Sequence, residues 1–154
     1  MMSVHKFNLF ADYHQFYLQD EKSDSSLEDS WTQEATDRLL AVAPGVIGVG
    51  TVRNMTVPVS VEVRDTEPDQ PVLCDHEVEC SVELPSGKLV VAGCTDYFPD
   101  AARITVKPGT YRARVYYSNL DSLSEDGLDG EDTYSVVLWP GTRTDVNVRK
   151  QRNA

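Results

Sequence analysis

"HEVECSVEL", His76 to Leu84, sets apolar and charged residues in turn: Val78, Cys80, Val82 and Leu84 fall on one side of a strand, and Glu77, Glu79, Ser81 and Glu83 on the other. A period of two with one wet face is the pattern of an antiparallel strand whose inner face covers a core. The pattern recurs on both sides of this stretch. "MTVPVSVEVRD" alternates Val57, Val59, Val61 and Val63 against Pro58, Ser60, Glu62 and Arg64, and "YRARVYY" alternates Tyr111, Ala113, Val115 and Tyr117 against Arg112, Arg114 and Tyr116. Pro58 cannot donate a ladder hydrogen bond, so its strand is predicted to lie at a sheet edge or to begin after it. "VIGVGTV", "LVVAG", "ARITV", "TYSVVLW" and "TDVNVRK" are further strand candidates, with "PSGK" predicted to make a hairpin into "LVVAG".

Toward the amino terminus the alternation continues and then slips. Phe7, Leu9, Ala11 and Tyr13 share one side, with Asn8, Asp12 and His14 opposite, but Phe16 and Leu18 resume the apolar row on even positions. A β-bulge or bend near His14 and Gln15 would reconcile the two. A loop, "DEKSDSSLED", leads to a predicted helix capped by Ser30, with Gln33 completing a capping box, Ala35, Leu39, Leu40 and Val42 as its apolar stripe, and Pro44 and Gly45 as its stop. About eight to nine short strands around one short helix, inserted after the first strand, define an all-β chain. The expected architecture is an antiparallel β-sandwich in a single domain covering residues 1–154.

The chain has 154 residues, enough for one domain with a sizeable core, and its 40% hydrophobic and 25% charged content is that of a chain that folds. Lys and Arg total 14 against 25 Asp and Glu, a net charge of -11. Phosphates are repelled by such a chain, which disfavours nucleic acid and anionic membranes as direct partners and favours a basic protein or a cation. The first ten residues contain no signal-peptide apolar run, and no stretch is apolar enough to span a membrane, so a cytoplasmic location is expected. Cys74, Cys80 and Cys94 are odd in number and lack a C-x-x-C pair; free, mostly buried thiols are expected rather than a zinc site or disulfides.

Little in the sequence points to catalysis. The histidines His5, His14 and His76 form no H-E-x-x-H pair, no G-x-S-x-G elbow is present, and "PGVIGVG" does not open a helix as a phosphate loop must. No enzyme activity and no cofactor are expected. The segment "NLDSLSEDGLDGED" places Asp121, Glu125, Asp126, Asp129, Glu131 and Asp132 together with no Lys or Arg among them. Neither glycine register fits an EF-hand loop. Three readings stay open for it: a calcium loop of another kind at the end of a sandwich, a solvated loop, or a surface for a basic partner. "DEKSDSSLED" has the same sign, and the two would form one patch if the fold brought them to one end. For His14 the alternatives are an outward residue beside the bulge, a partner contact, or a catalytic or metal role.

Several stretches taken together resemble the competence protein J family, inhibitors of the DNA-entry nuclease. They are "YHQF" at Tyr13 to Phe16, "WTQEA" at Trp31 to Ala35, "RN" at Arg53 and Asn54, "PGTY" at Pro108 to Tyr111, and "DTY" at Asp132 to Tyr134. Their order covers the chain from about residue 7 to residue 139, and "PGTRTDVNVRKQRNA" extends beyond the matched part. The resemblance implies an intracellular protein that binds and restrains a nuclease or related toxin and does no chemistry itself. On this reading His14, Gln15, Asp121, Glu125, Asp126, Asp129, Glu131 and Asp132 are the candidate partner-binding residues. Tyr13 and Phe16 are read as core anchors, and Trp31 as the staple of the helix near Ala35 and Leu39.

Overall fold

The alternating segments pair into two sheets in the computed structural model, which describes residues 2–152. In chain order the elements are β1 (Ser3–Phe10), β2 (Gln15–Asp20), α1 (Gln33–Arg38), β3 (Leu40–Ala43), β4 (Val46–Gly50), β5 (Thr56–Val63), β6 (His76–Leu84), β7 (Lys88–Gly93), β8 (Ala102–Thr105), β9 (Gly109–Ser118), β10 (Thr133–Pro140) and β11 (Asn147–Lys150). One sheet has the order β1-β5-β10-β9-β6-β11 and the other β3-β4-β2-β7-β8. Met1, and Asn153 and Ala154 at the end of the carboxy-terminal extension, lie outside the described residues.

The predicted inward rows meet between the sheets. Val57, Val59 and Val61, Val78, Cys80 and Val82, and Ala113, Val115 and Tyr117 from the larger sheet pack with Phe16, Leu18, Ile47, Val49, Leu89 and Val91 from the smaller one. The outer face of the smaller sheet is covered as well. Leu27, Trp31 and Ala35 cross it over Ala41 and Val46. Gly48 permits that crossing, because a Cβ there would stand 2.6 Å from Leu27 Cδ1 and 2.9 Å from Trp31 Cζ2. On the outer face of the larger sheet the alternate charged residues pair with one another. Glu79 accepts from Arg112 at 3.0 Å and Arg114 at 2.7 Å, and the Arg114 guanidinium lies 4.9 Å from the Trp139 ring. This leaves Glu79 and Arg114 buried, although their strand face reads as wet in the sequence.

Several local expectations are corrected by the topology. The irregularity at "YHQF" is not a bulge within one strand: β1 and β2 belong to different sheets, and a short 3-10 turn, Asp12–His14, carries the chain across. A change of sheet reverses which parity faces the core, which is why the apolar row slips. Tyr13 is consequently 70% exposed, and only Phe16 is a core anchor. "PSGK" likewise joins β6 to β7 across the sandwich rather than within one sheet. Thr32, not Ser30, caps α1, its side chain accepting from the Ala35 N–H at 3.1 Å. The helix stops at Leu39, whose φ of 59° is left-handed, so Leu40 and Val42 belong to β3, and Pro44 and Gly45 turn that strand into β4. The strand count therefore rises from nine to eleven. β5 lies inside its sheet, yet Pro58 is tolerated because β10 pairs with β5 only from Val59 onward. That β5–β10 pair is parallel, whereas every other paired strand is antiparallel.

Registers place Phe10, Gln15, Leu40, Gly50, Thr56, His76, Gly93, Ser118 and Thr133 at one end of the sandwich. The connections 11–14, 51–55, 94–101 and 119–132 all emerge there.

Candidate partner-binding end of the sandwich

At this end the chain turns through Tyr13 and His14 with φ of 57° and 60°. Two consecutive left-handed residues, neither of them glycine, cost about 1–2 kcal/mol each. Neighbouring groups hold the turn in that state. The His14 N–H donates to Ala11 O at 3.0 Å, the Thr51 N–H donates to His14 O at 2.9 Å, and His14 Nδ1–H donates to Thr51 O at 3.1 Å. Asp12 Oδ1 accepts from the Tyr13 N–H, and its Oδ2 accepts from Thr95 Oγ1. The turn thus presents the Tyr13 ring and the His14 edge outward. Gln15, half-buried, accepts from the Tyr17 hydroxyl at 2.8 Å.

Behind the turn lies a buried polar unit. Arg53 Nε donates to Asp132 Oδ1 at 2.6 Å, and the Tyr134 hydroxyl donates to Asp132 Oδ2 at 2.7 Å while accepting from the Val52 N–H at 2.9 Å. Burial, reinforced by the bond to Asp132, holds the Tyr134 hydroxyl well above the usual phenol pKa, so it stays a donor. Edge contacts link Phe16, Tyr134, Tyr117 and His76 in a row, at centroid separations of 6.1, 5.9 and 4.9 Å. Four of the quoted stretches, "YHQF", "RN", "PGTY" and "DTY", therefore lie where the chain changes sheets or enters β10. "WTQEA" caps and seats the helix.

His76 has no exposed surface. Its Nε2–H donates to Arg38 O at 2.7 Å, and its Nδ1 accepts from the Arg152 N–H at 3.1 Å. The second bond demands a bare Nδ1 and therefore the neutral ring, and burial, outweighing the bond to Arg38 O, pulls its pKa below the ordinary histidine value. Because the folded pKa lies below the unfolded one, the unfolded chain binds the proton more readily. This stabilisation is complete above the unfolded value of about 6.5 and is lost as pH falls through the folded pKa. Urea midpoints should fall between pH 7.5 and pH 5 in the wild-type protein. In His76→Gln that part of the decline should be absent.

A groove of about 1160 Å³ runs along this end, lined by Tyr13 and His14 of the turn and by Leu39, Val52, Leu120 and Leu123. Asp37 and Arg152 also line it. Beside it, the 119–132 connection is organised by its own hydrogen bonds. Ser124 Oγ donates to Asp126 Oδ1 at 2.6 Å, the Leu128 N–H donates to the same oxygen, and Ser122 Oγ accepts from the Glu131 N–H. These bonds hold the Asp126 carboxyl below its ordinary pKa, so it is charged at neutral pH.

Of the eight candidate residues, His14, Asp121, Glu125, Asp126, Asp129 and Glu131 are exposed at this end and Gln15 is half-buried. Asp132 is the exception. It has no exposed area and is neutralised by Arg53, an arginine far away in sequence, so it is a core residue and not a contact. The two acidic connections do not start from one end. The 21–30 segment leaves β2 at the opposite end, where Asp20 is buried against the Ser86 N–H and hydroxyl and Glu21 pairs with Arg103. Six residues of extended chain, about 20 Å, separate the two ends of β2. The calcium reading gains no support from geometry: among the described residues no three His, Cys, Asp or Glu side chains converge as ligands. Exposed apolar side chains escaped the sequence reading. Phe10, Tyr13, Leu73, Tyr97 and Leu128 all stand on or next to connections of this end, and only Leu128, inside a polar run, carried a hint of it. Cys74 and Cys80 are buried and Cys94 is half-buried, all three free, with the Cys80 thiol pushed up to about 12 by burial.

A two-sheet β-sandwich whose crossing turn and acidic longest loop contribute to one groove is the class that fold and site define. No family model matches the sequence, and no curated protein is similar to it in sequence. The same fold is found in the solved structure of ComJ, inhibitor of the DNA degrading activity of NucA, from Bacillus subtilis, with a TM-score of 0.68 over 92% of this chain and 99% of that one at 17% identity. It is also found in the structure described as Crocagin biosynthetic gene J, with a TM-score of 0.64, 23% identity and the same coverage. No helix among the described residues is long and apolar enough to cross a membrane.

Proposed function

We propose that this protein is a non-enzymatic, cytoplasmic inhibitor that binds a basic nuclease or related toxin through the end of the sandwich bearing the groove. The observation that carries the reading is the meeting of two surface types in one place. The exposed carboxylates Asp121, Glu125, Asp126, Asp129 and Glu131 share that end with Phe10, Tyr13, Leu73, Tyr97 and Leu128. Apolar anchors within a charged rim are the anatomy of a protein interface, and the sign of the rim selects a cationic partner. The likeness to ComJ supports a nuclease as that partner. A nuclease must itself attract phosphates, so an acidic protein seated on its positive surface would exclude DNA.

The test is capture from the source cell's lysate at low salt, identification by mass spectrometry, and a DNA-degradation assay with added protein. A captured nuclease should lose activity, and its affinity should fall with added salt. Asp126→Asn/Asp129→Asn/Glu131→Gln should weaken binding about tenfold or more, chiefly through slower association. Unchanged affinity in this variant would remove the loop from the interface, and a captured nuclease of undiminished activity would end the inhibitor reading.

A further inference from the structure

We infer that the groove receives a loop of the basic partner in which one aromatic or large aliphatic side chain stands between lysine or arginine residues, with Tyr13 as the lip that closes on that side chain. The inference rests on the partner-binding reading above and adds the chemistry of the segment that is bound.

Three features of this end support it. Backbone strain is concentrated at the lip: Tyr13 and His14 are consecutive left-handed residues, and the conformation turns the Tyr13 ring to 70% exposure instead of into the core. The crossing seats Ala11 and Phe16 in the core, but the Tyr13 ring itself is left unburied on a turn held by surrounding bonds, as in a preset binding element. Leu120, Leu123, Leu39 and Val52 give the groove an apolar lining. An aromatic or aliphatic group is what such walls would desolvate. Charge then selects what surrounds the anchor. Asp37 lines the groove, and the exposed carboxylates at 121, 125, 126, 129 and 131 stand beside it. Within the lining Asp37 is matched by Arg152, so the negative sign comes from the exposed carboxylates of the connection that supplies Leu120 and Leu123. A second copy of the chain, with its own charge of -11, would be repelled, as would nucleic acid.

The experiment titrates isotopically labelled full-length protein with a ten-residue peptide that has a central tryptophan flanked by lysine and arginine, followed by amide chemical shifts. The same peptide with central alanine and one with glutamates for the cations serve as counterparts. Shifts at Tyr13, Val52 and Leu123, at least tenfold weaker binding of the alanine peptide, and none of the glutamate peptide are expected. Tyr13→Gly separates binding from folding. Glycine relieves the left-handed strain and little packing is lost, so Tm should rise by about 2 °C or more while the tryptophan peptide binds at least tenfold less tightly. Equal binding by Tyr13→Gly, shifts confined to residues 124–131, or a concentration-dependent dimer that Tyr13→Gly abolishes would each overturn the inference. If Tyr13→Gly still inhibits a captured nuclease fully, the groove assignment fails and the inhibitor reading stands. If the peptide binds as expected and no nuclease is captured, the reverse holds.

Discussion

Arg53→Leu is expected to lower the stability of the protein by about 3–5 kcal/mol, read as a large fall in the urea midpoint at pH 7. The reason is what the substitution leaves behind. Asp132 has no exposed surface, and the Arg53 guanidinium, itself 9% exposed, is the ion-pair partner that neutralises it at 2.6 Å. Without Arg53 the carboxyl keeps the Tyr134 hydroxyl as a donor but has no cation beside it in a site that water does not reach. Asp132→Asn in the same background should recover part of the loss, because a neutral amide is cheaper to bury. The two substitutions should therefore be strongly non-additive. A loss below about 1 kcal/mol would mean that the pair behaves as a surface salt bridge and that the loop admits water to it. Arg53 also donates to Leu128 O at 3.3 Å, so the variant should loosen the acidic loop and weaken partner binding along with stability.

Gly93→Ala is expected to cost about 2–3 kcal/mol for a different reason. Gly93 pairs with Phe16 at the end of β7, against the backbone of Phe10 at the end of β1. A Cβ there would collide with the backbone carbonyl of Phe10, and Asp96 Oδ2, which accepts from the Gly93 N–H at 2.7 Å, stands close on the other side. Phe10 ends the strand that leads into the strained turn and cannot retreat without moving the turn. Gly127 provides the contrast. Its φ is 75° and nothing stands within 4 Å of a Cβ built there, so Gly127→Ala should cost only the conformational penalty of about 1 kcal/mol. Chemical denaturation of the two variants side by side separates collision from conformation. Equal losses would show that the Phe10 carbonyl yields.

The strands were legible wherever one residue faced the core and the next did not. "HEVECSVEL" and "YRARVYY" pair over seven registered positions with their predicted inner rows meeting the other sheet. Turns that change sheets were misread, because a hairpin and a crossing use the same turn residues and differ only in where the next strand goes. "PSGK" and "YHQF" are both of this kind. The boundary between α1 and β3 was missed since Ala35, Leu39, Leu40 and Val42 satisfy a helical period as well as a strand following a left-handed stop. The acidic character of the site was visible as a run of charge. Its apolar half was hidden, for a tyrosine in an alternating row reads as core until the turn beneath it is known.

By itself the sequence determined the class of fold, the apolar rows and the negative charge, since periodicity and composition act locally or by summation and need no partner across space. Tertiary structure alone decided which carboxylates are surface and which are core. Asp132 and Asp126 lie six residues apart in one acidic run, yet one meets Arg53 inside the protein and the other faces solvent. It also decided that the 21–30 segment leaves β2 at the end opposite the sheet-crossing turn and that Tyr13 points outward. Each of these depends on contacts between residues distant in sequence, and a buried charge or a strained turn persists only where such contacts hold it.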